Sequence, residues 1–98
     1  MGAVAVLNDD ETVHDDYRID YLREHLENMQ LAIQDGVEMI GYCTWTFMDV
    51  LSSKNGFSKR YGLVYVNREE HDLKDLRRVR KDSFFWYKNV IETNGKVK

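Results

Sequence analysis

The stretch that most limits what this chain can become is Val37 to Phe47, VEMIGYCTWTF. It is rich in β-branched and aromatic residues and lacks the alternation of a half-exposed strand. That pattern reads as a strand buried on both faces, as in a parallel sheet. The segment before it reads as a helix. Asp15 or Asp16 supplies an N-cap, and Ile19, Leu22, Leu26, Met29 and Ile33 recur at steps of three and four on one face. Arg18, Arg23, Glu24, Glu27 and Gln30 lie off that face, and Asp35-Gly36 supplies the stop. The stripe lasts only about two heptads, so packing on a sheet or another helix is expected rather than a coiled coil. Helix, glycine and buried strand form the αβ half of a βαβ unit, which places the chain in the α/β class.

After the run comes a polar loop, Asp49 to Lys59, with a strong turn signal at Asn55-Gly56. Tyr61 to Val66 is apolar again and reads as a short extended segment, followed by a polar turn over residues 67–72. Lys74 to Lys81 is basic but diluted by Asp75 and flanked by Asp72 and Asp82, and is expected as a solvated lead-in to the last helix. That helix is expected over Lys81 to Thr93, with Phe84, Tyr87, Val90 and Ile91 on one face and Phe85 and Trp86 widening it. Residues 1–14 have no helical period and read as a loop or arm. Their acidic patch, Asn8 to Glu11, lacks the glycine and spaced carboxylates of a calcium loop. The 98 residues are enough for one small domain and no more.

Several function classes fall away. A formal net charge of -3 is wrong for general nucleic-acid binding, which needs a basic face. No apolar run approaches the roughly 18 residues of a membrane span, and the N-terminus has no basic region typical of a signal peptide. The single cysteine, Cys43, excludes an internal disulfide and fits a reducing compartment; inside the apolar run it is expected as a small core residue. His14, His25 and His71 share no ligand spacing, so a metal site is not expected.

The chemistry concentrates around the loop. A turn at Asn55-Gly56 can fold Ser52 back toward Lys59, and Lys59 and Tyr61, two apart in an extended segment, point the same way. Two hydroxyls and one ammonium suit a phosphate dianion. The competing reading has Lys59 and Arg60 solvated and Tyr61 packed. Trp45 sits at the C-terminal end of the expected strand, where parallel sheets bind ligands. It is either a flat platform for a sugar or a core residue.

Gly41 to Asp49, GYCTWTFMD, resembles the last barrel strand of glycoside hydrolase family 1. Ser52 through Lys59-Arg60-Tyr61-Gly62-Leu63-Val64-Tyr65-Val66 is similar to the 6-phospho-β-glucosidase branch of that family. Tyr17 to Leu26 resembles the preceding barrel helix, and Ser83 to Lys88 the final one. The resemblance implies the C-terminal portion of a (β/α)8 TIM barrel. It implies that Trp45 lines the glycone subsite and that Ser52, Lys59 and Tyr61 hold the 6-phosphate. Ser52 stands where non-phosphorylated β-glucosidases carry a glutamate, and losing that acid avoids repulsion with a phosphate. Ser53 stands where the phospho-galactosidase branch tends to have tryptophan, which favours a gluco-configured substrate.

The family cleaves its substrates with two glutamates, roughly 5 to 5.5 Å apart in retaining enzymes. One lies in an Asn-Glu-Pro motif, and this chain has no proline. The other lies in a Thr-Glu-Asn-Gly motif that the sequence also lacks. Glu38, Asp49, Glu69 and Glu70 match neither motif. The resemblance therefore implies a phosphorylated β-glucoside as substrate of the intact enzyme, a bacterial cytoplasmic setting, no organic cofactor, and no catalytic carboxylate from this chain. A barrel takes about 250 residues, so self-association or docking with the missing N-terminal barrel portion is expected. The alternatives are a stand-alone sugar-phosphate-binding module and a structural, oligomerising one.

Overall fold

The computed structural model describes residues 2–51 and 56–95. Its elements, in order, are α1 (Asp16–Gln34), β1 (Val64–Val66), β2 (Arg78–Arg80) and α2 (Asp82–Glu92). Both helices fall where apolar spacing puts them. The expected stripe on α1 is only partly covered: Leu22 is buried, Ile19, Leu26 and Met29 are half-buried, and Ile33 is exposed. On α2, Val90 is buried, whereas Phe85 and Ile91 stand in solvent.

The sheet differs from expectation. β1 and β2 pair antiparallel, with Val64 opposite Arg80, Tyr65 opposite Val79 and Val66 opposite Arg78. Arg78–Arg80 was expected as part of a solvated lead-in. Its alternation, with Val79 buried between two exposed arginines, is that of a half-covered strand too short to register as one in sequence. Val79 joins Val13 and Tyr65 in a small core, with Ala5 and Leu7 packed against it. Residues 2–14 hold no helix or strand of their own, yet they are tied down at two points. Ala3 exchanges two backbone hydrogen bonds with Arg60, at 2.8 and 3.1 Å, and Val13 is 1% exposed.

The largest correction concerns the run 37–47, expected as a buried strand. It is extended but belongs to no ladder, and most of its side chains are open to solvent: Val37, Met39, Ile40, Trp45 and Phe47, with Cys43 exposed as well. The physical reason is the lack of neighbours. A strand of a parallel sheet needs a partner on each edge and a layer on each face, and among the described residues the run has no ladder partner, with helix contacts such as Phe47 against Phe84 of α2. Its first residue is tied to the end of α1, where Val37 N–H donates to the Ala32 carbonyl at 3.0 Å, and its C-terminal end is pinned to the returning segment. Thr46 N–H donates to the Tyr61 carbonyl at 3.2 Å, and the Phe47 carbonyl accepts from Leu63 and Val64 at 3.0 and 3.1 Å. Asp49 N–H then reaches the Val64 carbonyl at 3.0 Å. Gly62 permits this approach, because a Cβ there would lie 2.3 Å from the Met48 carbonyl carbon and 2.5 Å from Asp49 N.

The fold is less compact than usual for a chain of this length. The radius of gyration is 15.0 Å, whereas a compact chain of about 100 residues has about 13 Å. Among the described residues, no helix is long and apolar enough to cross a membrane.

A testable consequence lies in the backbone. Amide hydrogen exchange should find residues 38–45 close to random-coil rates and the central turns of α1 and the Tyr65 amide well protected. Strong protection across 38–45 in a monomeric sample would contradict this arrangement.

Candidate ligand-binding site

The site is built on a buried ionic floor. Asp49, where the pinned end of the run enters the loop, is 4% exposed and accepts four hydrogen bonds. The Lys81 ammonium donates to its Oδ1 at 2.8 Å and Gly62 N–H at 3.1 Å. The Arg60 guanidinium donates to its Oδ2 at 3.2 Å and Val66 N–H at 3.3 Å. Lys81 is fully buried and also donates to the Gly62 carbonyl at 2.7 Å. Arg60 reaches the Val66 and Arg68 carbonyls at 2.7 and 2.6 Å, and its guanidinium lies over the Tyr65 ring. Burial lowers the Lys81 ammonium from its usual range, and the neighbouring Asp49 carboxylate works against that shift.

A second buried set ties α1 to the same loop. Arg18, expected off the packed face, is 3% exposed. Its guanidinium donates to the Asp15 carboxylate at 3.2 Å, the Tyr61 carbonyl at 2.9 Å and the Arg60 carbonyl at 2.8 Å. Asp15, expected as a helix cap, makes no side-chain capping bond. Its carboxylate accepts instead from the Ser83 N–H and hydroxyl at the start of α2. Burial raises the Asp15 pKa, opposed chiefly by these Ser83 hydrogen bonds.

On this floor sits the end of the loop. Arg60 is buried, against the solvated reading, because its guanidinium has carboxylate, carbonyl and ring partners inside. Lys59 is exposed and Tyr61 half-buried. Trp45 is 71% exposed. It does not pack in a core among the described residues, and it shares with Tyr61 the lining of an open hollow of about 200 Å³. Arg18, Tyr21 and Leu22 of α1 also line it. The Trp45–Thr46 peptide is cis. Ser52 and Ser53, the other expected ligand residues, lie outside the described residues. The structure thus brings Trp45 and Tyr61 to one hollow, with Lys59 two residues before Tyr61.

Sequence reasoning missed Asp15, Arg18, Asp49, Arg60 and Lys81 as a framework. A weak signal existed: the i, i+3 spacing of Asp15 and Arg18. For Asp49 and Lys81, 32 residues apart, no local pattern could pair them. Among the described residues, no group of three His, Cys, Asp or Glu side chains is placed to hold a metal ion.

Comparison with known proteins agrees with this geometry. The model of glycosyl hydrolase family 1 matches residues 1–96. The chain is 62% identical over 87 residues to the aryl-phospho-β-D-glucosidase BglC of Bacillus subtilis, covering 89% of this chain and 18% of that protein. It is 51% identical over 84 residues to the 6-phospho-β-glucosidase AscB of Escherichia coli, covering 85% and 18%. A family 1 β-glucosidase from Thermotoga maritima superposes with a TM-score of 0.86 at 41% identity, covering 96% of this chain and 20% of the other. The chain therefore spans about a fifth of the length of these relatives.

Two expectations follow. Asp49→Ala leaves buried Lys81 and Arg60 charges without their acceptor and should cost about 3–5 kcal/mol in urea unfolding; a loss below 1 kcal/mol would refute the floor. His14 Nδ1 lies 2.7 Å from Asp82, which raises the imidazole pKa above its usual 6.5 through hydrogen bonding and charge, with smaller contributions from Asp10 and Asp16 and burial working against it. The stability this contributes is present below about pH 6.5 and is lost as pH rises through the folded-state pKa. An NMR titration should find the His14 pKa elevated, and lowered in Asp82→Asn; equal values would refute the pairing.

Proposed function

The chain belongs to glycosyl hydrolase family 1, and on that premise we propose that it forms the C-terminal part of a 6-phospho-β-glucosidase. In the whole enzyme, β-glucoside 6-phosphates are hydrolysed with retention to glucose 6-phosphate and an aglycone. This chain contributes Trp45 as a platform for the sugar and Lys59, Tyr61 and Ser52 as the 6-phosphate site, with Ser53 leaving room for a gluco-configured ring. The two catalytic glutamates come from the preceding part of the barrel, and the enzyme works in the bacterial cytoplasm.

The observation that carries this reading is that Trp45 and Tyr61 line one hollow, with the exposed Lys59 two residues before Tyr61 in the chain. The names of the relatives support the phosphorylated substrate. Electrostatics support it as well. The buried floor beneath the loop holds Asp15 and Asp49 against Arg18, Arg60 and Lys81, an excess of positive charge that favours an anion nearby. Asp49 is a poor candidate for the chemistry itself, since four donors hold its carboxylate and it has no exposed oxygen to offer.

The same reading accounts for the uncovered run. Val37 to Phe47 is a barrel strand whose edges pair with neighbouring strands of the preceding barrel portion. Its apolar side chains supply the driving force for docking, at about 25 cal/mol per Å² of apolar surface covered. A copy without that partner self-associates through the same edges.

Reconstitution tests this. The chain mixed with an N-terminal barrel portion carrying both glutamates should hydrolyse an aryl β-glucoside 6-phosphate, while the chain alone should not. Lys59→Ala should lower kcat/KM of the mixture by about 10- to 100-fold, the worth of a hydrogen bond to a charged group. Turnover by the chain alone, or a mixture indifferent to Lys59→Ala, would contradict the proposal.

A further inference from the structure

Lys59 lies between two anchored residues. On one side Arg60 is fixed by Asp49 and by the Val66 and Arg68 carbonyls. On the other side the anchor is Glu70. One of its carboxylate oxygens accepts from Phe57 N–H at 3.1 Å; the other accepts from Phe57 N–H at 3.0 Å and Ser58 N–H at 3.1 Å. The segment that carries Glu70 is held in turn. Arg68 donates to the Glu69 and Glu70 carbonyls, both at 3.1 Å, and its guanidinium stacks 4.5 Å from the centre of the Phe57 ring. Phe57 is 4% exposed, so this end of the loop is seated. Gly56 leaves the space the carboxylate occupies. A Cβ there would lie 2.0 Å from Glu70 Oε1, and its φ of +63° is one that other residues rarely adopt.

We infer that Glu70 is a positioning residue for the 6-phosphate site, clamping the Phe57–Ser58 backbone so that Lys59 is presented in one place. The inference rests on the reading of Lys59 and Tyr61 given above. Its physical content is preorganisation. Lysine is a flexible point charge whose attraction to an anion is diluted by every conformation that points elsewhere. Fixing the backbone on both sides removes the backbone part of that freedom before the ligand arrives and leaves the side-chain rotamers to the ligand. Glu69, the neighbouring acid, is exposed and pairs with Lys74 at 3.3 Å instead, so it serves as an internal control.

The test is an amide NMR titration of the 98-residue chain with glucose 6-phosphate, with glucose as reference. In the parent chain, glucose 6-phosphate should perturb the Lys59 and Tyr61 amides and glucose should not. In Glu70→Gln, the Phe57 and Ser58 amide protons should move upfield and the dissociation constant for glucose 6-phosphate should rise about three- to tenfold, the range of one or two ordinary hydrogen bonds. Gly56→Ala, which displaces the carboxylate from outside, should reproduce that loss, and Glu69→Gln should leave the constant unchanged. If Lys59→Ala abolishes binding while Glu70→Gln and Gly56→Ala bind like the parent, the clamp is overturned and the phosphate reading stands. If glucose 6-phosphate perturbs neither Lys59 nor Tyr61 in the parent chain, the phosphate reading is overturned and the inference falls with it.

Discussion

The Asp49 carboxylate is the point on which this structure turns. It sits where the extended run ends and the loop begins, and from there it gathers Arg60, Gly62, Val66 and Lys81. Those four come from the returning segment, β1 and the entry to α2. One buried group thus joins three pieces of chain. A buried charge alone is costly, and a buried ion pair is a weak source of net stability compared with a well-packed apolar cluster. What such a network does supply is direction, because each donor has one place to be. Here that direction fixes the backbone around Lys59 and Tyr61.

The need for this arrangement follows from the thinness of the core. Val13, Tyr65 and Val79 make a small cluster, and much of the apolar surface of the chain faces outward. The residues from 37 to 47 carry the composition of an interior strand without an interior around them. Polar interactions hold the loop end in place even where apolar layers are missing. The second buried set, Asp15 with Arg18 and Ser83, extends the same device to both helices. Site and scaffold are therefore linked through buried side chains as well as through backbone hydrogen bonds.

Much of this was legible from residue order, and the boundary is physical. Both helices announce themselves because apolar spacing is local and repeats over several turns. The polar loop is signalled as locally, though of its expected Asn55-Gly56 turn only Gly56 lies among the described residues. The motifs around Trp45 and Lys59-Arg60-Tyr61 carried the family resemblance, which the match over residues 1–96 bears out. What failed depends on neighbours. Val37 to Phe47 was expected inside a sheet, and its composition is indeed that of an interior strand, but burial is a property of what surrounds a strand. Arg60 and Lys81 were expected in solvent because long cationic side chains usually are. Their burial depends on Asp49, which is distant in sequence from Lys81. β2, three residues long, offered one alternation and no more.

The central claim is that a loop anchored by buried charges presents Lys59 and Tyr61 to a phosphate. A crystal structure of the chain with glucose 6-phosphate addresses it directly. The account predicts the phosphate group within hydrogen-bonding distance of Lys59 Nζ and Tyr61 Oη, the sugar ring toward Trp45, and the Asp49–Arg60–Lys81 contacts unchanged. A phosphate bound elsewhere on the molecule, with the Lys59 ammonium turned away from it, would contradict the account.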